Sequence, residues 1–240
     1  MGSSSLNPVF VGGTGRSGST IVGDLLDHHP AVTMTLPSEV RFITGNNGIA
    51  DALAKAGKPA GLKAAELAVD RIHNRWFFRD ENSGLHTSMS QEFVTETTDK
   101  YLAHFENSPQ QASQVLVYSI MEKVALGCDA ERWVDTTPAN ARKANLIAPI
   151  YPQHKVVVMV RDGRDVAASF VHQTFGPSDV FEAVALWEKR MIKSDQAVKR
   201  CEAGAVLTLD LQDLVVTERD ASVDLILEHC ELEDSREMRD

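Results

Sequence analysis

The sequence has few cysteines and no long apolar run, and each absence excludes a class of protein. Its 240 residues include three cysteines, Cys128, Cys201 and Cys230. Their odd number and lack of metal-ligand spacing predict neither a disulfide framework nor a zinc site. No window reaches the roughly 18 apolar residues of a membrane-spanning helix, and residues 1–5 lack the basic and apolar regions of a secretory signal. We therefore expect a soluble, cytoplasmic protein without a membrane partner.

Positive charge is also scarce. Lys and Arg number 24 against 34 Asp and Glu, which gives a formal net charge of −10. A general nucleic-acid binder needs a clustered basic face to release counterions. The composition therefore argues against a nucleic-acid partner, and any site for an anion must be local. A homodimer is compatible with this composition but is not specified by it.

Short apolar runs alternate with helical patterns along the chain. The predicted strands are Val9–Gly12, Val32–Met34, Trp133–Asp135, Lys155–Val160 and Ala205–Leu209. The predicted helices are Ser19–His28, Lys58–Phe78, Ser90–Glu106, Gln111–Leu126, Pro138–Ile150, Gly163–His172, Val180–Glu202 and Ser222–His229. Apolar strands separated by helices predict an α/β fold with a parallel sheet flanked by helices.

One long stretch does not follow the alternation. Residues 45–127 are mostly helical and poor in strand patterns, which predicts a helical insertion between early strands, placed to cover the site. The length and the hydrophobic content of 43% predict one domain spanning residues 1–240.

A glycine-rich turn after the first predicted strand is the strongest functional signal. Residues 9–20 read VFVGGTGRSGST, and Gly13 and Gly18 have the spacing of a Walker A loop before a helix that attracts anions. The lysine of ATP-binding loops is missing, because Ser19 takes its position and the positive charge lies at Arg16. Its planar guanidinium suits phosphosulfate as well as phosphate. A P-loop NTPase-like sheet is predicted, although a merely tight turn is the alternative.

A second group of charged residues follows the predicted strand at 155–160. Arg161 comes at its carboxyl end, where open α/β sheets bind ligands, and Ser169 lies about two helical turns further on. The alternative is structural: Arg161 and Asp162 form an ion pair at a helix start, and Asp165 interacts with the helix dipole. The neighbouring glycine loop favours the ligand site.

Together the two segments resemble the sulfotransferase family, in particular the branch containing the tyrosylprotein sulfotransferases and many bacterial relatives. The resemblance is carried by residues 10–20, 25–30 and 160–164 with Ser169, and it continues more weakly to residues 209–215. It implies an enzyme that moves a sulfuryl group from 3′-phosphoadenosine 5′-phosphosulfate (PAPS) to a hydroxyl or amine by in-line displacement with a general base.

The same resemblance implies the residues that hold the donor. The 5′-phosphosulfate falls on Gly15, Arg16, Ser17, Gly18, Ser19 and Thr20, and the 3′-phosphate falls on Arg161 and Ser169. Arg16 is also a predicted catalytic residue, since it stabilises charge on the departing phosphate. No metal is expected, because protein cations balance that charge. Relatives often carry a lysine at about Thr136 and a tyrosine near Leu211, and this chain has neither.

The segment at residues 37–41 resembles the Glu-x-Arg segment of the tyrosylprotein branch, although it lies two residues farther from the loop. This implies Glu39 as the general base and Arg41 as a substrate-binding residue. One alternative is a helix N-terminus with Ser38 as its cap. Another is a histidine base. The candidate histidines are His73, His86 and His104.

The acceptor is not specified by these motifs, since acceptor recognition lies in the variable helical part. A small molecule or a glycan is favoured over a protein. Arg71, Arg75 and Arg79 share one side of a predicted helix, and a solvated helix face is favoured over a surface for an anionic acceptor. Two other functions stay open: a P-loop kinase using ATP and Mg²⁺, and a non-catalytic nucleotide-binding protein.

Overall fold

The computed structural model of the chain describes residues 7–35, 37–125, 130 and 132–239. Residues 1–5, Cys128 and the predicted end of the insertion at 126–127 lie outside the described residues. Of the helices in these ranges, none is both long and apolar enough to cross a membrane. The assignment of residues 1–240 to one domain stays a prediction.

A parallel sheet forms the centre of the described chain. Its strands are β1 (Val9–Gly13), β2 (Val32–Met34), β3 (Arg132–Asp135), β4 (Lys155–Val160) and β5 (Val206–Asp210). Their order is β2-β3-β1-β4-β5, and every pairing is parallel. β1 is buried along its whole length because helices cover both faces of such a sheet, which explains its unbroken apolar sequence. The predicted α/β fold is confirmed.

Helices connect the strands. They are α1 (Ser19–Asp27), α2 (Ile49–Leu53), α3 (Gly61–Arg71), α4 (Gln91–Phe105), α5 (Pro109–Ala125), α6 (Ala139–Arg142), α7 (Gly163–Phe170), α8 (Val180–Val198), α9 (Arg219–Cys230) and α10 (Arg236–Arg239). Two π-helical turns cover Ile72–Trp76 and Asp213–Thr217, and two 3₁₀ turns cover Leu85–Thr87 and Ala144–Leu146. The short α2 and α10 lie outside the predicted helices.

Two apolar cores lie on opposite faces of the sheet. Phe10 packs edge-on against Trp133, with ring centroids 5.3 Å apart, in the core that α2 to α5 complete. Val9 and Val11 belong to the other core, with side chains of α1 and α9. Successive side chains of a strand point to opposite faces, so β1 contributes to both cores. The helices between β2 and β3 therefore cover one face, as the predicted insertion requires.

The predicted helix over 138–150 is wrong in its length. The α-helix covers only Ala139–Arg142, and a 3₁₀ turn over Ala144–Leu146 follows. Between them Lys143 has φ −130°, and its ammonium group lies 2.7 Å from the Asp51 carboxylate. This contact with α2 is long-range, so local periodicity does not reveal it. The break ends α6 at Arg142, beside the glycine loop.

Candidate functional site

The loop between β1 and α1 has an unusual backbone. Gly15, Arg16 and Gly18 have φ of +82°, +60° and +93°. Glycine adopts these angles freely, but arginine does so rarely and must be held there by its surroundings. A Cβ atom on Gly18 would lie 2.5 Å from Leu211. Within the described chain α1 has no side-chain cap and no acid in its first turn, so its first N–H groups remain available to an anion.

Arg16 joins this loop to the carboxyl end of β4. Its Nε donates to Ser169 Oγ on α7 at 2.9 Å, and Arg161 Nη1 donates to the Arg16 carbonyl oxygen at 3.1 Å. Since β4 pairs with β1, segments that are 145 residues apart meet at one edge of the sheet. The structure thus brings together the residues of the two predicted phosphate sites.

The structural alternative for this segment is wrong for Arg161. Asp162 pairs with Arg164 at 2.6 Å and caps α7 by accepting from the Arg164 N–H. These hydrogen bonds from Arg164 lower the pKa of Asp162 to about 2. Besides its hydrogen bond to the Arg16 carbonyl oxygen, Arg161 forms a distant ion pair of 3.8 Å with Asp165.

A cavity of about 760 Å³ opens beside the loop. Seven arginines line it: Arg16, Arg41, Arg71, Arg75, Arg142, Arg161 and Arg190. Among the described residues of this lining, Glu39 is the sole acid. A chain with net charge −10 therefore concentrates positive charge in one place, as a local site for an anion requires.

Most of the predicted site residues lie at this cavity. Its lining includes Gly15, Arg16, Gly18, Ser19, Thr20, Glu39, Arg41 and Arg161. Ser169 lies outside the lining, but its hydroxyl accepts a hydrogen bond from Arg16, which is part of the lining. Ser17, which belongs to the loop, is fully buried and lies outside the cavity lining, and in the described part of the chain its hydroxyl has no hydrogen-bond partner.

Glu39 and Arg41 are held by the end of β3. The Val40 N–H donates to Asp135 Oδ1 at 2.9 Å, and the Arg41 N–H donates to Thr137 Oγ1 at 3.1 Å. Glu39 and Arg41 form an ion pair, and Arg41 has φ +54°. The alternative of a helix starting at Ser38 is wrong, because after β2 the next described helix begins at Ile49.

Asp135 is the buried anchor of this segment. Its side chain is fully inaccessible, and its carboxylate accepts hydrogen bonds from the Val40 and Thr137 N–H groups, the Thr137 hydroxyl and Asn140 Nδ2. Burial raises its pKa to about 6, against the lowering effect of those bonds. Asp135 lies outside the cavity lining and fixes the backbone next to Glu39 through its hydrogen bond from the Val40 N–H.

The raised pKa of Asp135 predicts a pH effect on stability. The folded state holds this proton more tightly than the unfolded state does, so the free energy of unfolding falls as pH rises from about 4 to about 6. For Asp135→Asn we expect this fall, between about pH 4.5 and pH 7, to be smaller by about 1–2 kcal/mol. Urea unfolding at both pH values measures it, and parallel pH profiles for variant and wild type would contradict the assignment.

Sequence reasoning missed Arg142 and Arg190. Arg190, on α8, donates to the Thr14 carbonyl oxygen of the loop and lies 5.6 Å from the centroid of the Phe170 ring. Burial lowers the pKa of both guanidinium groups, and repulsion from Arg190 lowers that of Arg142 further. No motif in the sequence marks these two arginines. Both lie in helices, and only the packing of those helices decides which side faces the cavity.

The favoured interpretation of a solvated helix face agrees with Arg75 and Arg79, which are exposed, whereas Arg71 is partly buried. Arg71 and Arg75 also line the cavity, and Arg79 lies outside its lining. The α-helix predicted over 58–78 ends at Arg71 and continues as the π-helical turn over Ile72–Trp76. That change of helical period rotates the later side chains relative to an ideal helix.

Thr136, where relatives often carry lysine, does not face the cavity. It is fully buried, its hydroxyl donates to the Ser38 carbonyl oxygen at 2.9 Å, and its methyl group lies against Gly23 of α1. A lysine there has no room in this arrangement. Leu211, near the position of the family tyrosine, packs on Gly18 and lines the cavity.

None of the described histidines lines the cavity. His73 Nε2 shares a hydrogen bond with Thr98 Oγ1 at 2.9 Å, and His86 Nδ1 lies 3.0 Å from the Phe77 carbonyl oxygen. His104 is exposed on α4. Across the described ranges, no group of three or more His, Cys, Asp or Glu side chains is arranged to hold a metal ion.

Comparison with known proteins identifies the family. No curated protein matches the chain by sequence. Among solved structures, it is similar to the sulfotransferase domain from the curacin biosynthetic pathway (15% identity, TM-score 0.54, 97% of this chain and 76% of that chain). The sulfotransferase domain of the Synechococcus PCC 7002 olefin synthase is similar at 17% identity (TM-score 0.55, the same coverage). Sulfotransferase STF1 from Mycobacterium tuberculosis is similar at 19% identity (TM-score 0.55, 97% and 69%).

At these identities the structural matches show the fold alone. The family itself is shown by sequence, because the model described as "Sulfotransferase family" matches residues 8–236. That range contains the glycine loop, the Glu39 segment and the end of β4. This chain is an enzyme that belongs to the sulfotransferase family.

Proposed function

We propose that this enzyme uses PAPS as its donor and a hydroxyl or amine of a small molecule as its acceptor. The observation that carries the proposal is the cavity of about 760 Å³, lined by seven arginines beside a lysine-free glycine loop. A polyanionic nucleotide suits this lining, since guanidinium groups bind phosphate and sulfate oxygens in a bidentate manner. Membership of the sulfotransferase family supports the same donor.

Two groups of residues would hold the donor. Residues 15–20, with the first N–H groups of α1, would bind the 5′-phosphosulfate, and Arg161 and Ser169 would bind the 3′-phosphate. The arginines of the cavity lining support this assignment, because guanidinium groups bind phosphate and sulfate oxygens. When bound, the donor supplies a sulfuryl group whose bond to the phosphate oxygen breaks as the acceptor bond forms, leaving adenosine 3′,5′-bisphosphate.

The chain contributes a base and positive charge to this transfer. Glu39 takes the proton of the acceptor hydroxyl, and Arg41 holds the Glu39 carboxylate in place. Arg16 and the loop N–H groups stabilise the negative charge on the departing phosphate. Related enzymes often use a lysine to stabilise the departing phosphate. We assign that role in this chain to Arg142 and Arg190, which line the same cavity. Arginines then balance the phosphate charge without a metal ion.

A small molecule or a glycan is the proposed acceptor. Two of the structural neighbours are named for the curacin biosynthetic pathway and an olefin synthase, which favours a small acceptor over a protein. The cavity wall built by residues between β2 and β3 is the place where acceptors would be distinguished. A cytoplasmic location and a homodimer stay predictions from the sequence.

Calorimetric titration tests the donor. We expect adenosine 3′,5′-bisphosphate to bind more tightly than ATP with Mg²⁺, because Arg161 and Ser169 recognise a 3′-phosphate that ATP lacks. We also expect ³⁵S-labelled PAPS to transfer its label to a component of a metabolite extract.

The two alternatives give different results in the same experiments. Tighter binding of ATP with Mg²⁺ would support a P-loop kinase. Binding of the bisphosphate without any transfer of label would support a non-catalytic nucleotide-binding protein.

A further inference from the structure

One wall of the cavity carries positive charge on residues other than those assigned to the donor. Arg71, at the end of α3, and Arg75, in the π-helical turn, line it together with Arg41 and Trp76. We call Arg41, Arg71 and Arg75 the arginine cluster. The guanidinium carbons of Arg41 and Arg75 lie 5.8 and 5.5 Å from the centroid of the Trp76 ring, so both contact one buried side chain.

Two members of the cluster, Arg71 and Arg75, lack compensating negative charge. Glu39, the acid of the lining, is already paired with Arg41. In the described chain, no carboxylate forms an ion pair with Arg71 or Arg75. The Nε atom of Arg71 is buried and has no hydrogen-bond partner there. Buried donors normally find an acceptor, so this group points to an acceptor that the protein does not provide.

The local helix adds to this argument. Arg71 and Arg75 are four residues apart, a spacing at which like charges on a helix repel one another. The turn between them is π-helical, with the Phe77 N–H donating to the Ile72 carbonyl oxygen at 2.8 Å. Single π turns inside helices occur frequently at functional sites. Neither the spacing of the two arginines nor the π turn stabilises the helix. Both features therefore favour a role of Arg71 and Arg75 in binding.

The cluster also lies next to the proposed base. Arg41 contacts both Glu39 and the Trp76 ring, and Arg75 contacts the same ring. An acceptor whose hydroxyl is near Glu39 therefore extends toward Arg71 and Arg75. Arg16 and Arg161, in contrast, lie at the loop and at the end of β4, where the donor would be held.

We propose that the acceptor is an anion, whose carboxylate, phosphate or sulfate group is bound by Arg71 and Arg75 while its hydroxyl lies near Glu39. This inference rests on the proposed function, since it assigns the donor to the loop. The cluster recognises an oxyanion of any of these three kinds, because each offers oxygens to the guanidinium fork. A neutral acceptor would leave the buried Arg71 donor unpaired.

The first test uses inorganic phosphate as the probe. Protein saturated with adenosine 3′,5′-bisphosphate is titrated with phosphate, so that the donor site is already filled. In Arg71→Gln/Arg75→Gln we expect phosphate binding to weaken by about 10-fold or more. The matched control is Arg79→Gln, because Arg79 contacts the same Trp76 ring at 5.5 Å but lies outside the cavity lining; its affinity for phosphate should equal that of the wild type.

Each outcome of this titration decides a question. Equal phosphate affinity in the wild type and in the double variant overturns the inference. Failure of the bisphosphate to bind at all is instead a failure of the proposed function. Arg71→Lys/Arg75→Lys keeps the charge but loses the guanidinium fork, so it should bind phosphate more tightly than the glutamine double variant and less tightly than the wild type. This intermediate affinity separates loss of charge from loss of folding.

The second test identifies the charge of the acceptor itself. A metabolite extract is passed over an anion exchanger, and both fractions are assayed with labelled PAPS. We expect the acceptor in the retained fraction, with a KM about 10-fold or more higher for the double variant and an unchanged affinity for the bisphosphate. An acceptor that flows through overturns the inference but leaves the proposed function intact, whereas no acceptor in the whole extract counts against the proposed function.

Discussion

Replacing Glu39 with glutamine is expected to lower turnover by about 100-fold or more, while the affinity for adenosine 3′,5′-bisphosphate stays near that of the wild type. The amide keeps the size of the side chain but cannot accept the proton of the acceptor. The donor residues lie on the loop and at the end of β4, so their contacts do not involve Glu39. Steady-state transfer of label and calorimetric titration measure the two quantities separately.

Glu66→Gln is the matched control. Glu66 is exposed on α3 and lies outside the cavity lining, so the same chemical change there should leave turnover unchanged. If Glu39→Gln transfers label at the wild-type rate, Glu39 is not the base. The pH dependence of kcat/KM would then be needed to find the group that is.

Removing Arg161 should weaken binding of the bisphosphate by about 10- to 100-fold, because a hydrogen bond to a charged group contributes about 1.5–3 kcal/mol. Arg161→Met keeps much of the apolar stem and removes the charge. We expect a similar loss for Arg16→Met. The two effects should not add, since Arg161 donates to the Arg16 carbonyl oxygen and supports its backbone.

The chain offers a control inside the same motif. Arg164 follows Arg161 by three residues, but its side chain is 89% exposed and pairs with Asp162. Arg164→Met should therefore bind the bisphosphate as the wild type does. Equal losses in Arg161→Met and Arg164→Met would mean that general electrostatic attraction, rather than a specific contact, holds the 3′-phosphate. In that case the assignment of Arg161 fails.

Local sequence was sufficient to predict the sheet and the loop. An apolar run such as Lys155–Val160 is visible in the sequence because a strand covered on both faces needs apolar side chains at nearly every position. The glycines at 15 and 18 are likewise visible, since their positive φ angles exclude most other residues. These signals depend on neighbours along the chain.

The segment at Glu39 was predicted by resemblance, and its geometry was not. Its conformation depends on Asp135 and Thr137, about 95 residues later in the chain. The predicted helix over 138–150 is interrupted at Lys143, whose backbone is not helical. The Lys143 ammonium group contacts Asp51 of α2, which is also a long-range contact. Contacts of this range leave no periodic pattern in the sequence.

The sequence by itself determined the five strands, the lysine-free glycine loop and the family, because each depends on residues that are neighbours in the chain or in a motif. The tertiary structure alone decided that Arg71, Arg75, Arg142 and Arg190 line one cavity with Arg16 and Arg161. Helical periodicity shows that such residues share a face, but only packing decides whether that face meets solvent or a cavity. An acidic chain therefore contains a concentrated cationic site that its composition does not reveal.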